Sequence, residues 1–102
     1  MSEAERWLRD RVDGAPDELV REMTAALPPA APSIPVALAE GAMALYGATV
    51  RGSGGRDDAL PLLAAGALFT HAFQAQAELD PAGLARLAER YGAAGRLGEV
   101  AP

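Results

Sequence analysis

The only histidine of the chain, His71, could serve as a metal ligand or a proton-transfer group. On a helix it shares one face with Gln74 and Glu78, because residues three, four or seven positions apart lie on the same side. Glu40, from an earlier apolar segment, could reach this face if two helices pack in the right register. Imidazole and carboxylate groups bind metal ions and transfer protons. His71, Glu78 and Glu40 are therefore the candidate residues of a metal- or small-ligand-binding helical bundle.

The spacing of these candidates differs from that of known metal-binding bundles. Carboxylate-bridged bundles place a Glu and a His three positions apart and repeat the pair on another helix. Here Glu78 follows His71 by seven positions, and the pattern does not recur. We therefore expect His71 to be a hydrogen-bonded or half-exposed histidine with a structural role, and we expect no metal, no cofactor and no catalytic residue.

Two neighbouring segments carry residue types that suit magnesium or phosphate chemistry. Asp57 and Asp58 are adjacent carboxylates, and the loop from Arg51 to Arg56 is rich in glycine. The acidic pair stands just before Pro61, which is the pattern of a helix cap followed by a first turn. The loop lacks the lysine and the spacing of a phosphate-binding loop. The sequence thus predicts a cap and a linker here, and no enzyme.

The elements that position these residues are predicted to be helices. The chain has 102 residues, half of them apolar, which is the size of one domain. No stretch alternates between apolar and polar residues as a strand would. The fold class is therefore all-α, a small bundle of four to five helices. Its parts are charged amphipathic helices at 1–27, a Pro/Ala linker at 28–32, an apolar helical hairpin at 33–79 and an amphipathic C-terminal helix at 80–97.

The apolar hairpin is the centre of the predicted bundle, with antiparallel helices at about 34–50 and 58–79. Ser33 suits the N-cap of the first helix, and no charged residue occurs from Ala59 to Ala77 in the second. Both helices are apolar all round, and the other helices have only narrow apolar stripes. We therefore expect a second copy or another protein to cover the hairpin. The predicted interface residues are Gly41, Leu45, Ala64, Leu68, Phe69 and Phe73.

Composition narrows the class of partner. A net charge of −5 argues against nucleic acid or an anionic membrane as the main partner. A membrane hairpin is also disfavoured, because the two apolar segments are of marginal length and contain Glu40, Pro61 and His71. The charged N-terminus lacks an apolar run, which predicts a cytoplasmic location. All basic residues are arginine, with no lysine or asparagine, which is typical of a GC-rich bacterial genome.

Trp7 has two possible roles. Trp and Arg are typical anchors of protein interfaces, and Arg6, Arg9 and Arg11 lie close to Trp7 in the sequence. The alternative, which we favour, is that Trp7 folds back onto the hairpin and seals one end of the core. The leading functional expectation is a non-catalytic interaction protein, either a homodimer or an accessory subunit. A metal- or small-ligand-binding bundle and a small membrane hairpin are the alternatives.

Overall fold

A computed structural model of the chain describes residues 1–52, 55–92, 95, 96 and 98. These residues form five α-helices and no strand. The helices are α1 (Glu3–Arg11), α2 (Asp17–Ala25), α3 (Ile34–Val50), α4 (Ala59–Leu79) and α5 (Leu84–Tyr91), with short 3₁₀ turns at Arg56–Asp58 and Pro81–Gly83. The predicted all-α class and the small helical bundle are confirmed.

Helices α3 and α4 both begin where their sequences predict, but only α3 has a capping hydrogen bond from a side chain. The Ser33 hydroxyl oxygen accepts a hydrogen bond from the Val36 amide at 3.3 Å, and Pro35 lies in the first turn, where a missing amide costs nothing. At the start of α4, Asp58 occupies the N-cap position without a side-chain capping hydrogen bond. Its backbone is already helical after the 3₁₀ turn, whereas a capping side chain needs extended backbone. Asp58 thus stands at the predicted N-cap position, but its side chain does not make the expected capping hydrogen bond to α4.

Helices α3 and α4 pack against each other as an antiparallel hairpin. Gly41, nine residues before the end of α3, faces Leu68, nine residues after the start of α4. A Cβ atom on Gly41 would lie 3.3 Å from Leu68 Cδ1, 3.2 Å from Leu27 Cδ2 and 3.3 Å from the Ala26 carbonyl oxygen. Glycine at this position therefore allows both α4 and the end of α2 to approach α3 closely.

Much of the hairpin is buried within a single chain. Met23 of α2 is fully buried, and so is Leu8 of α1. The hairpin residues that are buried are Pro35, Ala37, Leu38, Ala39, Gly41, Ala42, Met43, Gly47, Ala64, Ala65, Leu68, Ala72 and Ala75. Most of them are alanines, whose small side chains present little area, so close packing of the helices buries them. The expectation that a second copy or another protein covers the hairpin stays a prediction.

The six residues predicted for an interface lie in or against this core. Gly41, Ala64 and Leu68 are buried within the chain. The other three, Leu45, Phe69 and Phe73, are partly buried and pack against the core cluster. The large apolar side chains of the hairpin that remain exposed over more than two fifths of their surface are Leu62, Leu63 and Leu79.

Glycine and proline mark the breaks between the helices. Gly14, between α1 and α2, has φ of +93°, a backbone conformation that glycine adopts at little cost. The Gly92 amide donates to the Ala88 carbonyl at 2.7 Å and ends α5 at Tyr91. Helix α5 is therefore shorter than the predicted 80–97 segment, of which residues 93, 94 and 97 lie outside the described residues.

Candidate functional site

His71 makes structural contacts within the bundle. Its Nδ1 lies 2.8 Å from the Ala67 carbonyl oxygen one turn earlier, so this nitrogen carries the proton that it donates. The imidazole ring meets Trp7 edge to face, with ring centroids 6.1 Å apart and planes at 84°. His71 thus joins α4 to α1, in agreement with the predicted structural role.

Glu78 belongs to the same end of the bundle and is paired with a cation. Its Oε1 accepts a hydrogen bond from Arg11 Nη2 at 2.7 Å, and its Oε2 accepts one from Gln74 Nε2 at 3.3 Å. The Arg11 guanidinium also lies 4.1 Å from the centroid of Trp7. Trp7 is only 9% exposed, so it seals this end of the core as expected.

Glu40 is held at a different place, by the C-terminal part of the chain. Its Oε2 accepts a hydrogen bond from the Tyr91 hydroxyl at 2.6 Å and a second one from Arg96 Nη1. The guanidinium groups of Arg90 and Arg96 lie 5.1 and 5.8 Å from the Tyr91 ring centroid. We call Glu40, Tyr91 and Arg96 the Glu40 cluster. Sequence reasoning missed it, although Glu40 is the only charged residue between Met23 and Val50, which is a sign that it needs a partner.

The three candidate ligands are therefore not brought together. Glu40 contacts Tyr91 and Arg96, while His71 and Glu78 contact residues of α1 and their own helix. In the part of the chain that the structure describes, no group of three or more His, Cys, Asp or Glu side chains is arranged to hold a metal ion. The loop from Arg51 to Arg56, predicted to be a linker, includes residues 53 and 54, which lie outside that part.

The Glu40 cluster shifts the pKa values of its members. Burial raises the pKa of Glu40. Hydrogen bonds from Arg96 and Tyr91, together with the charges of Arg96 and Arg90, lower this pKa by more than burial raises it, so it lies below the ordinary 4.5. Burial, then the hydrogen bond to Glu40 and its negative charge, raise the pKa of Tyr91 from 10.0 to about 12. The hydrogen bond to Glu40 raises the pKa of Arg96. Tyr91 thus remains a neutral donor and Glu40 an ionised acceptor.

These shifts predict how stability depends on pH. The unfolded chain loses the Tyr91 proton near pH 10 and the folded chain near pH 12, so the Tyr91 contribution declines between about pH 10 and 12. The Glu40 contribution is present above about pH 4.5 and is lost as the pH falls through its lowered pKa.

An ultraviolet titration of tyrosinate formation tests the raised pKa of Tyr91. We expect one tyrosine of the unmodified protein to titrate near pH 12, and we expect this titration step to be absent from the Tyr91→Phe variant. In the Glu40→Gln variant the midpoint of the Tyr91 titration should move towards pH 10. If Tyr91 titrates near pH 10 in the folded unmodified protein, the raised pKa is contradicted.

An open cleft of about 270 Å³ lies where the N-termini of α1 and α3 meet the Pro/Ala linker. Both helix ends already use their capping side chains: Ser2 Oγ accepts from the Glu5 amide at 3.1 Å, and Ser33 Oγ accepts from the Val36 amide. Glu3 adds a negative charge to the lining. The two serine side chains of this cleft are thus engaged as helix caps.

An exposed apolar surface lies on the first half of α4. Its residues are Ala59, Leu62, Leu63, Gly66 and Ala67, which we call the outer α4 face. Leu62 is 48% exposed and Leu63 is 60% exposed. A Cβ atom on Gly66 would find no atom within 4 Å, so the surface is open at this point. A solvent-facing helix surface normally carries charged residues, and this one carries none.

Comparisons with protein-family models, with curated proteins and with solved structures find no match to this chain. Among the described residues, none of the helices is long and apolar enough to cross a bilayer.

Proposed function

We propose that this chain is a non-catalytic interaction protein that associates with a second copy of itself through the outer α4 face. The observation that carries the proposal is the exposure of Leu62 and Leu63 beside Gly66 on a helix surface without charge. Contiguous exposed apolar surface is a feature of protein–protein interaction sites. This interface lies on the predicted hairpin, but on its outer side.

The residue pattern of the outer α4 face supports a second copy as the partner. If two α4 helices cross antiparallel, Leu63 of each copy can lie opposite Gly66 of the other, and Leu62 opposite Ala67. Both pairs share one centre along the helix, so a single two-fold axis relates them. Each large side chain then meets a small one, and every contact occurs twice, as in isologous dimers.

If two copies associate, the distribution of charge favours the outer α4 face over the other exposed surfaces. The chain carries a net charge of −5, so two copies repel each other on approach. Helices α1, α2 and α5 all have charged residues on their exposed sides. Contact through the outer α4 face brings no charged side chain of that face against another, which minimises the cost of bringing two acidic chains together.

The size of the face predicts a reversible dimer. From Ala59 to Ala67 it extends about 12 Å at 1.5 Å per residue. A contact of one helix face of this length is well below the area of about 800 Å² per partner that stable complexes bury. We therefore expect monomer and dimer to exchange, with a dissociation constant in the micromolar range or weaker.

A charge placed on the outer α4 face tests this proposal. Leu63→Glu should raise the dissociation constant of the dimer at least about 10-fold, because it buries a carboxylate without a partner in both copies. Sedimentation velocity over a concentration series measures the change. The matched control is Leu79→Glu, because Leu79 is 58% exposed, lies on the same helix and is outside the face.

The two variants separate the proposed interface from a general effect of charge. Both positions are largely exposed, so neither substitution should change the free energy of unfolding by more than about 0.5 kcal/mol. The control should associate like the unmodified protein. If Leu63→Glu and the unmodified chain have the same dissociation constant, the outer α4 face is not the interface.

The cytoplasmic location and the bacterial source expected from the sequence stay predictions.

A further inference from the structure

Within the described part of the chain, helix α5 is attached to the bundle by two buried side chains and by the Glu40 cluster. It has eight residues, of which Leu87 and Tyr91 are buried. A helix of this length is not stable by itself in water, so its structure depends on docking. The polar part of the docking is the Glu40 cluster, in which one carboxylate oxygen accepts the hydrogen bonds of both Tyr91 and Arg96.

A tight turn joins α4 to α5. Helix α4 ends at Leu79, and its C-cap Asp80 has φ of −161° and ψ of 88°, which turn the backbone away from the helix. The Asp80 carbonyl accepts hydrogen bonds from Gln76 Nε2 at 2.7 Å and from the Gly83 amide at 3.0 Å. The 3₁₀ turn Pro81–Gly83 follows directly. Pro81 prevents the two helices from merging into one, because proline lacks the amide proton that a continuous helix requires. A change of backbone angles near Asp80 would move α5 as a unit.

We propose that α5 is a C-terminal latch, which opens and closes on the hairpin as a unit and is held closed by the carboxylate of Glu40. Opening separates Tyr91 and Arg96 from Glu40 and brings Leu87 and Tyr91 into solvent. In the open state we expect the hairpin and the helices α1 and α2 to keep their packing, because α1 packs on α3 and α2 packs on α4. Leu87 and Tyr91 of α5 belong to the same core cluster, so opening removes only their share of it. The latch is independent of the proposed dimer, since none of its groups belongs to the outer α4 face.

Two properties of the Glu40 cluster explain why one residue controls the opening. Glu40 is the shared acceptor, so its loss leaves the Tyr91 hydroxyl, on a residue only 1% exposed, without its charged partner. A hydrogen bond to a charged group contributes more than one between neutral groups. The open state has no such requirement, since water solvates the hydroxyl there. Removing the charge of Glu40 therefore shifts the equilibrium towards the open state.

Hydrogen exchange measured by mass spectrometry tests the latch. In the unmodified protein, the amides of α5 should exchange faster than those in the middle of α3 and α4, since local opening requires less free energy than unfolding. Glu40→Gln should accelerate the exchange of α5 by about 10- to 100-fold, with changes below about 2-fold in the middle of α3 and α4. The matched control is Glu78→Gln, which removes another partly exposed carboxylate that binds Arg11 of α1. It should leave α5 unchanged.

A second pair of variants tests the coupling between Glu40 and Tyr91. Tyr91→Phe alone should accelerate the exchange of α5, and it should add less when Glu40→Gln is already present, because the charge-assisted part of the hydrogen bond is then already lost. The latch is excluded if α5 exchanges at the rate of α3 and α4 in the unmodified protein. It is also excluded if Glu40→Gln leaves the exchange of α5 unchanged or accelerates all helices equally.

Discussion

Replacing Trp7 by alanine is expected to lower the free energy of unfolding by about 3–5 kcal/mol, the usual cost of removing a buried aromatic side chain. Trp7 is 9% exposed and joins α1 to the hairpin through its contact with His71. The Arg11 guanidinium lies over the Trp7 ring and donates a hydrogen bond to Glu78 on α4. Without the indole, α1 loses its largest buried side chain and Arg11 loses its cation–π contact. Urea unfolding followed by circular dichroism measures the effect.

The control for this change is Trp7→Phe, which retains an aromatic ring and should cost less than the alanine variant. Domains of this size have a total stability of about 5–15 kcal/mol, so the alanine variant should lose a large part of it. The alternative role of Trp7, an anchor for a partner, predicts another outcome. A loss below about 1 kcal/mol would show that Trp7 is not part of the core and would restore that alternative.

Replacing Gly41 by leucine should lower the free energy of unfolding by about 2 kcal/mol. The Cβ atom alone would lie within 3.3 Å of Leu27, Leu68 and the Ala26 carbonyl, so a full side chain forces the helices apart. Such overpacking costs about 3 kcal/mol, while leucine returns about 1 kcal/mol through its higher helix propensity. Thermal or urea unfolding of the two proteins provides the comparison.

Gly66 supplies the matched control within the same hairpin. A Cβ atom at Gly66 would meet no atom within 4 Å, so Gly66→Leu gains helix propensity without overpacking. Its free energy of unfolding should be unchanged or higher by about 1 kcal/mol when measured at a concentration where the protein is monomeric. Equal losses in the two variants would contradict the packing of α3 against α2 and α4 described above.

The helices of this chain could be predicted from its sequence because their signals are local. Ser33 and Pro35 mark the start of α3, and the uncharged run after Asp58 marks α4. The predicted hairpin, 34–50 and 58–79, agrees with the helices Ile34–Val50 and Ala59–Leu79 within one residue. Caps and charge patterns act within a few positions along the chain, so they can be recognised without knowledge of the tertiary structure.

The partners of the polar side chains could not be predicted in the same way. Glu40 contacts Tyr91 and Arg96, which are 51 and 56 positions away in the sequence. The angle at which α5 docks decides this contact, and no local pattern specifies that angle. The placement of His71 and Glu78 on one side of α4 was a local inference, and both side chains do lie towards α1. Whether Glu40 lies near His71 and Glu78 depends on the register in which α3 packs against α4, and no local pattern specifies that register.

The predicted interface shows the same limit for apolar residues. Periodicity identified Ala64 and Leu68 as apolar positions that need cover, and both are fully buried within the chain. It could not tell cover by α1 and α2 from cover by a second chain. The difference depends on how closely helices pack, and the small side chains of Gly41 and of the many alanines decide that distance.

Amide NMR spectra recorded over a dilution series of the unmodified protein test the proposed self-association most directly, because they report the position of each contact. The account predicts chemical-shift changes that saturate with concentration and are largest for Ala59 to Thr70. Changes confined to α1, α2 or α5, or spectra that do not depend on concentration, would contradict it.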